Sequence, residues 1–70
     1  MFPNNIHLGQ VVEVIEDTWT ESSSVWLEEG TIMTLIGYDP RDNLVCVATE
    51  GYGYEWVQVR KLKQAIVEAV

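Results

Sequence analysis

The chain has 70 residues, 47% of them hydrophobic, with eleven acidic against four basic residues for a net charge of -7. A chain this short can bury one core, and it lacks room for a second domain or for the supporting shells of a typical enzyme cleft. Because nucleic-acid affinity comes largely from Lys and Arg, direct nucleic-acid binding is also not expected.

The first half of the chain predicts short strands separated by turn signals. β-branched residues at 11–15 favour a first strand. The stretch 16–24 is polar except for Trp19, and it predicts a long loop. Apolar side chains return at 25–27, and Glu28-Glu29-Gly30 predicts a turn in which the glycine supplies a backbone angle that other residues resist.

The second half continues in the same way. Residues 31–36 predict a clear strand, and 39–42 suit a type I turn with proline at its second position. The apolar run 44–49 predicts the next strand. Gly51-Tyr52-Gly53 then reverses the chain, so that residues 54–59 form a further strand antiparallel to the one before it.

The C-terminal tail leaves two alternatives. Apolar residues spaced by three to four positions through 59–70 favour a short helix or helical turn over residues 63–70, whereas 65–67 equally suits an edge strand. The elements together predict one all-β domain over residues 1–70. Its architecture is a small five-stranded antiparallel barrel over about residues 9–62.

The segment 27–36 resembles the part of Src homology 3 domains in which a diverging turn ending in glycine leads into an apolar strand. The order of loops and strands around it is similar as well. The family's peptide groove is lined by aromatic residues, but Leu44 or Val45 stands at its tryptophan position, so proline-rich recognition is not expected. The resemblance implies that much of the core comes from Val12, Val14, Met33, Leu35, Val45 and Val47.

Residues that could carry catalysis or bind metal are few. His7 and Cys46 are the sole histidine and cysteine, which is too few for a structural zinc site and a poor basis for a nucleophile with a positioned base. We therefore expect no enzymatic activity, no cofactor and no metal ion. A lone cysteine within an apolar run and the absence of a basic, apolar leader suggest a soluble cytoplasmic protein with no membrane association.

The aromatic residues are the more informative ones. Trp19 stands in a polar, acidic loop where burial is hard to arrange, and tyrosine and tryptophan are enriched at binding hot spots. Trp26 and Trp56, set among apolar strand residues, are expected in the core or barrel wall. The predicted partner-binding residues are Glu16, Asp17, Trp19, Glu21, Tyr38, Tyr52 and Tyr54.

These observations favour a protein–protein interaction module whose acidic, tryptophan-bearing loop binds a basic or apolar patch on another protein. Two alternatives stay open. One is an inhibitor that mimics DNA with its carboxylates and blocks a nucleic-acid enzyme, similar in type to small phage-encoded acidic proteins. The other is a structural subunit of a larger complex, in which the apolar tail, residues 65–70, packs on a neighbour.

Overall fold

The computed structural model describes residues 7–23, 25–49, 51 and 53–65. These residues form strands and one turn of 3-10 helix, and every strand that pairs does so with an antiparallel partner. The elements are β1 (Val11–Val14), β2 (Thr18–Trp19), β3 (Trp26–Leu27), β4 (Ile32–Asp39), β5 (Leu44–Thr49), β6 (Gly53–Gln58), the 3-10 helix (Val59–Lys61) and β7 (Leu62–Gln64).

Five of the strands form one sheet in the order β6-β5-β4-β1-β7. Strand β1 lies between β4 and β7, with Val12 opposite Met33 on one side and Gln64 on the other. The edge strands of this sheet are therefore β6 and β7. Strands β2 and β3 form a separate two-stranded hairpin inserted between β1 and β4. The prediction of an all-β domain with a five-stranded antiparallel sheet is thus confirmed.

The core lies on one face of the sheet because side chains alternate along each strand. The six core residues implied by the family resemblance are all buried. Matching registers between neighbouring strands bring inward-facing residues together, as with Leu35 opposite Val47 and Val45 opposite Val57. The buried apolar cluster comprises Val12, Val14, Val25, Leu27, Met33, Leu35, Val45, Val47, Val57, Val59 and Leu62.

A β-bulge interrupts the pairing of β4 with β5 between Leu35 and Gly37. Such a bulge adds one residue to a strand and changes which face the following side chains occupy. A Cβ atom at Gly37 would lie 3.3 Å from Cys46 Cβ and 3.8 Å from Trp56 Cη2. The contact with Cys46 would be unusually tight, so glycine at this position accommodates Cys46 on the neighbouring strand, whereas the distance to Trp56 is an ordinary van der Waals contact.

The turns follow the chemistry expected from the sequence. Gly30 has a φ of 91°, a left-handed angle, and the Asp39 carboxylate accepts a hydrogen bond from the Arg41 N–H at 3.0 Å. At the C-terminal end the helix predicted over residues 63–70 is wrong for Lys63 and Gln64, because both lie in β7 and pair with β1. Residues 66–70 lie outside the described part of the chain. Among the residues described, no helix is long and apolar enough to cross a membrane.

Candidate interaction surface

The segment predicted as a long loop folds into a short hairpin around Thr20. This residue is 2% exposed. Its N–H donates to the carbonyl of Val25 (2.9 Å), its hydroxyl accepts from the Val25 N–H (3.3 Å), and its carbonyl accepts from the N–H of Ser23 (2.8 Å). These bonds close the loop, and they let β2 pair with β3.

Trp19 and Trp26 face each other across that hairpin. Their ring centroids are 5.2 Å apart with an edge-to-face angle of 63°, and the residues remain 55% and 46% exposed. The expectation that Trp26 belongs to the core or barrel wall is wrong, because Val25 and Leu27 on either side of it are buried and alternation turns it outward. The same alternation leaves Trp56 41% exposed beside buried Val57.

The base of the hairpin is held by two of the predicted partner-binding carboxylates. Asp17 Oδ1 accepts a hydrogen bond from the N–H of Glu29 at 2.8 Å. Lys61 Nζ lies 2.6 Å from Glu16 Oε1, and this hydrogen bond, with the positive charge of Lys61, lowers the pKa of the Glu16 carboxyl. Both acids therefore have an intramolecular structural role that sequence reasoning did not foresee.

The tip of the hairpin docks against strand β6. The N–H of Glu21 donates to the carbonyl of Trp56 at 2.7 Å, and the Ser22 hydroxyl donates to Glu55 Oε1 at 3.0 Å. This contact forms an open groove of about 480 Å³, which we call the acidic groove. It is lined by Glu21, Ser22, Asp39, Leu44, Tyr54, Glu55 and Trp56.

The structure brings together only some of the predicted site residues. Glu21 and Tyr54 both line the acidic groove, where Tyr54 is 73% exposed. Trp19 lies on the hairpin but does not line the groove. Tyr38 is 37% exposed on β4, opposite Val45 and outside the groove lining, and Tyr52 lies outside the described residues.

Sequence reasoning missed five groove residues, which are Ser22, Asp39, Leu44, Glu55 and Trp56. Period-two alternation beside buried Val57 could have indicated the exposure of Trp56. Nothing local could have placed Glu55 beside Ser22, because the two residues are 33 positions apart. The groove is a product of the tertiary fold.

Three carboxylates line the acidic groove, those of Glu21, Asp39 and Glu55. Arg41 Nε lies 3.7 Å from Asp39 Oδ1. Burial, and secondarily the negative charge of Glu55, raises the pKa of the Cys46 thiol, which keeps it protonated and unreactive. Over the described ranges, no three His, Cys, Asp or Glu side chains are arranged to hold a metal ion.

Comparison of the chain with protein-family models, curated proteins and solved structures finds no match.

Proposed function

We propose that this protein is a non-enzymatic protein–protein interaction module that binds a basic segment of a partner through its acidic, tryptophan-bearing loop, residues 16–21. The observation that carries the proposal is the acidic groove, in which the loop's Glu21 meets the rings of Tyr54 and Trp56. A surface that combines exposed aromatic rings with carboxylates suits Lys and Arg side chains, since these present both an apolar stem and a charged end.

Charge supports the choice of a basic partner. Three carboxylates, those of Glu21, Asp39 and Glu55, line the groove. The Arg41 side chain lies beside them, with its Nε 3.7 Å from Asp39 Oδ1, and it is 89% exposed. An ion pair this exposed contributes little, so it neutralises the Asp39 carboxylate only weakly. A cationic partner segment would be attracted at long range and oriented as it docks.

The apolar lining supports contact energy beyond charge. Trp56 and Tyr54 are 41% and 73% exposed, and Leu44 beside them is partly buried. The stem of a Lys or Arg side chain can pack on these surfaces while its charged end lies over a ring, a contact of about 0.5–1 kcal/mol at exposed sites. Trp19, exposed on the same loop, adds a large rigid contact surface.

We also propose that the sheet closes as an Src homology 3-like barrel. Support comes from the hairpin between β1 and β4, from the pairing of β1 with both β4 and β7, and from the 3-10 turn before β7. The bond from Glu21 N–H to the Trp56 carbonyl joins the hairpin to the β6 edge. Slow exchange of the Glu21 amide hydrogen is expected, and exchange at the rate of an open loop would contradict closure.

The function is tested by affinity capture from an extract of the source cells with quantitative mass spectrometry. The wild-type protein is compared with Glu21→Gln/Glu55→Gln, in which glutamine retains the oxygen that accepts the Ser22 hydrogen bond. The charge-matched control is Glu13→Gln/Asp42→Asn, in which neither residue lines the groove. A partner enriched by the wild type and the control, and lost from the groove variant, is the expected result.

Trp19→Ala should likewise abolish capture while the domain stays folded. Retention of the same partner by the groove variant would contradict the proposal, as would an equal loss from the control. Capture that survives Trp19→Ala while the melting temperature falls would make Trp19 a purely structural residue. Displacement of the partner by DNA would instead favour the inhibitor alternative. In that case binding of the partner should weaken steeply as the salt concentration rises.

A further inference from the structure

A second recess lies between β3 and the start of β4. It has a volume of about 340 Å³, and we call it the Trp26 cleft. It shares no lining residue with the acidic groove. The residues that matter for its chemistry are Trp26, Leu27, Glu28, Ile32, Met33 and Thr49.

We propose that the Trp26 cleft is a second docking site, which takes one apolar side chain from a basic segment of a partner protein. The site goes beyond the proposed function, because it is lined by different residues. The acidic groove would bind a cationic side chain of the partner. The Trp26 cleft would instead bind an apolar side chain that is flanked by Lys or Arg in the same partner segment.

The apolar part of the argument comes from burial. Leu27 and Met33 are each 4% exposed, whereas Trp26 and Ile32 are 46% and 56% exposed. Two buried apolar residues thus lie beside two large apolar side chains that are each about half exposed to water. The edge-to-face contact with Trp19 restrains the Trp26 ring, so a ligand would meet a preformed surface and lose little entropy in ordering it.

Charge identifies the class of partner. Glu28 lines the cleft, and the Asp17 carboxylate lies at the base of the same hairpin, where it accepts a hydrogen bond from the backbone N–H of Glu29 at 2.8 Å. The cation at that base, Lys61, is 2.6 Å from Glu16 and is thereby neutralised. These carboxylates would repel nucleic acid, an anionic membrane and a second copy of this chain, whose net charge is -7, whereas they would attract a segment bearing Lys or Arg.

The test is NMR titration with a defined probe, the capped hexapeptide Lys-Lys-Leu-Leu-Lys-Lys. Two analogues accompany it, one with serine in place of leucine and one with glutamate in place of lysine. The leucine–lysine peptide should shift the Ile32 and Met33 methyl resonances and the Trp26 indole resonance. The serine analogue should bind at least about tenfold more weakly, because burial of one such side chain contributes about 1.5 kcal/mol or more.

Matched variants locate the site. Ile32→Thr keeps a β-branched residue on an exposed strand position and should weaken peptide binding about fivefold or more. Ile36→Thr, on the same strand, 38% exposed and outside the cleft, should leave binding unchanged. Glu28→Gln should weaken binding of the lysine peptide and reduce its dependence on salt.

Three results would overturn the inference. The first is equal binding of the glutamate analogue. The second is a set of shifts confined to Tyr54 and Trp56, which would leave the acidic groove, and with it the proposed function, in place without a second site. The third is a dimer in analytical ultracentrifugation that Ile32→Thr dissociates, because the cleft would then be occupied by a second copy.

Discussion

The contact between Trp19 and Trp26 can be measured by a double-mutant cycle. The two residues pair across the hairpin with ring centroids 5.2 Å apart. Trp19→Ala, Trp26→Ala and the double variant would be compared with the wild type by urea unfolding. The sum of the single effects minus the double effect isolates the energy of the pair.

The expected cost of Trp19→Ala follows from its partial burial. The residue is 55% exposed, so of roughly 250 Å² of a tryptophan side chain about 110 Å² is covered. At about 25 cal/mol per Å² this is about 2.8 kcal/mol, and a compact denatured state reduces it to about 2 kcal/mol. In a domain of this size the melting temperature should fall by about 8–16 °C.

The pair itself should contribute a coupling energy of about 0.5–1.5 kcal/mol, the range for edge-to-face aromatic contacts. Circular dichroism should show that both single variants still unfold cooperatively from a β-rich state. A coupling energy indistinguishable from zero would refute the idea that each ring restrains the other. Loss of cooperative unfolding in Trp19→Ala would show that the hairpin is essential to the core.

Three further predictions concern other parts of the molecule. Lys61 holds the pKa of the Glu16 carboxyl below its usual value near 4.5. The stability that this pair contributes is therefore present above that pH and is lost as the pH falls through the lower pKa of the folded state. Glu16→Gln should flatten the acid limb of a curve of unfolding free energy against pH. Cys46 is buried and its pKa is raised, so iodoacetamide should modify it far more slowly in the folded than in the urea-unfolded protein, and equal rates would contradict its burial. Gly30→Ala should cost about 1–2 kcal/mol in urea unfolding through backbone strain, because φ is 91° and the added Cβ meets no atom within 4 Å.

Local patterns in the sequence determined the strands and the turns. β-branched residues in 11–15 and the apolar run 44–49 predicted two of the strands, because such residues favour extended backbone. The core residues were expected from the resemblance of segment 27–36 to Src homology 3 domains. Gly30 and Pro40 marked turns for the same kind of reason, since their backbone preferences are intrinsic. These expectations needed no knowledge of which strands pair.

The candidate interaction surface was decided by the tertiary structure. Trp26 and Trp56 look like core residues by composition, yet both are exposed because buried neighbours occupy the inward face. The acidic groove joins the hairpin tip at Glu21 to Glu55 and Trp56 on β6, far along the chain. Composition predicted an acidic protein with informative aromatics, but which carboxylate lies beside which ring depends on strand order and register, and these are set by packing across the whole sheet.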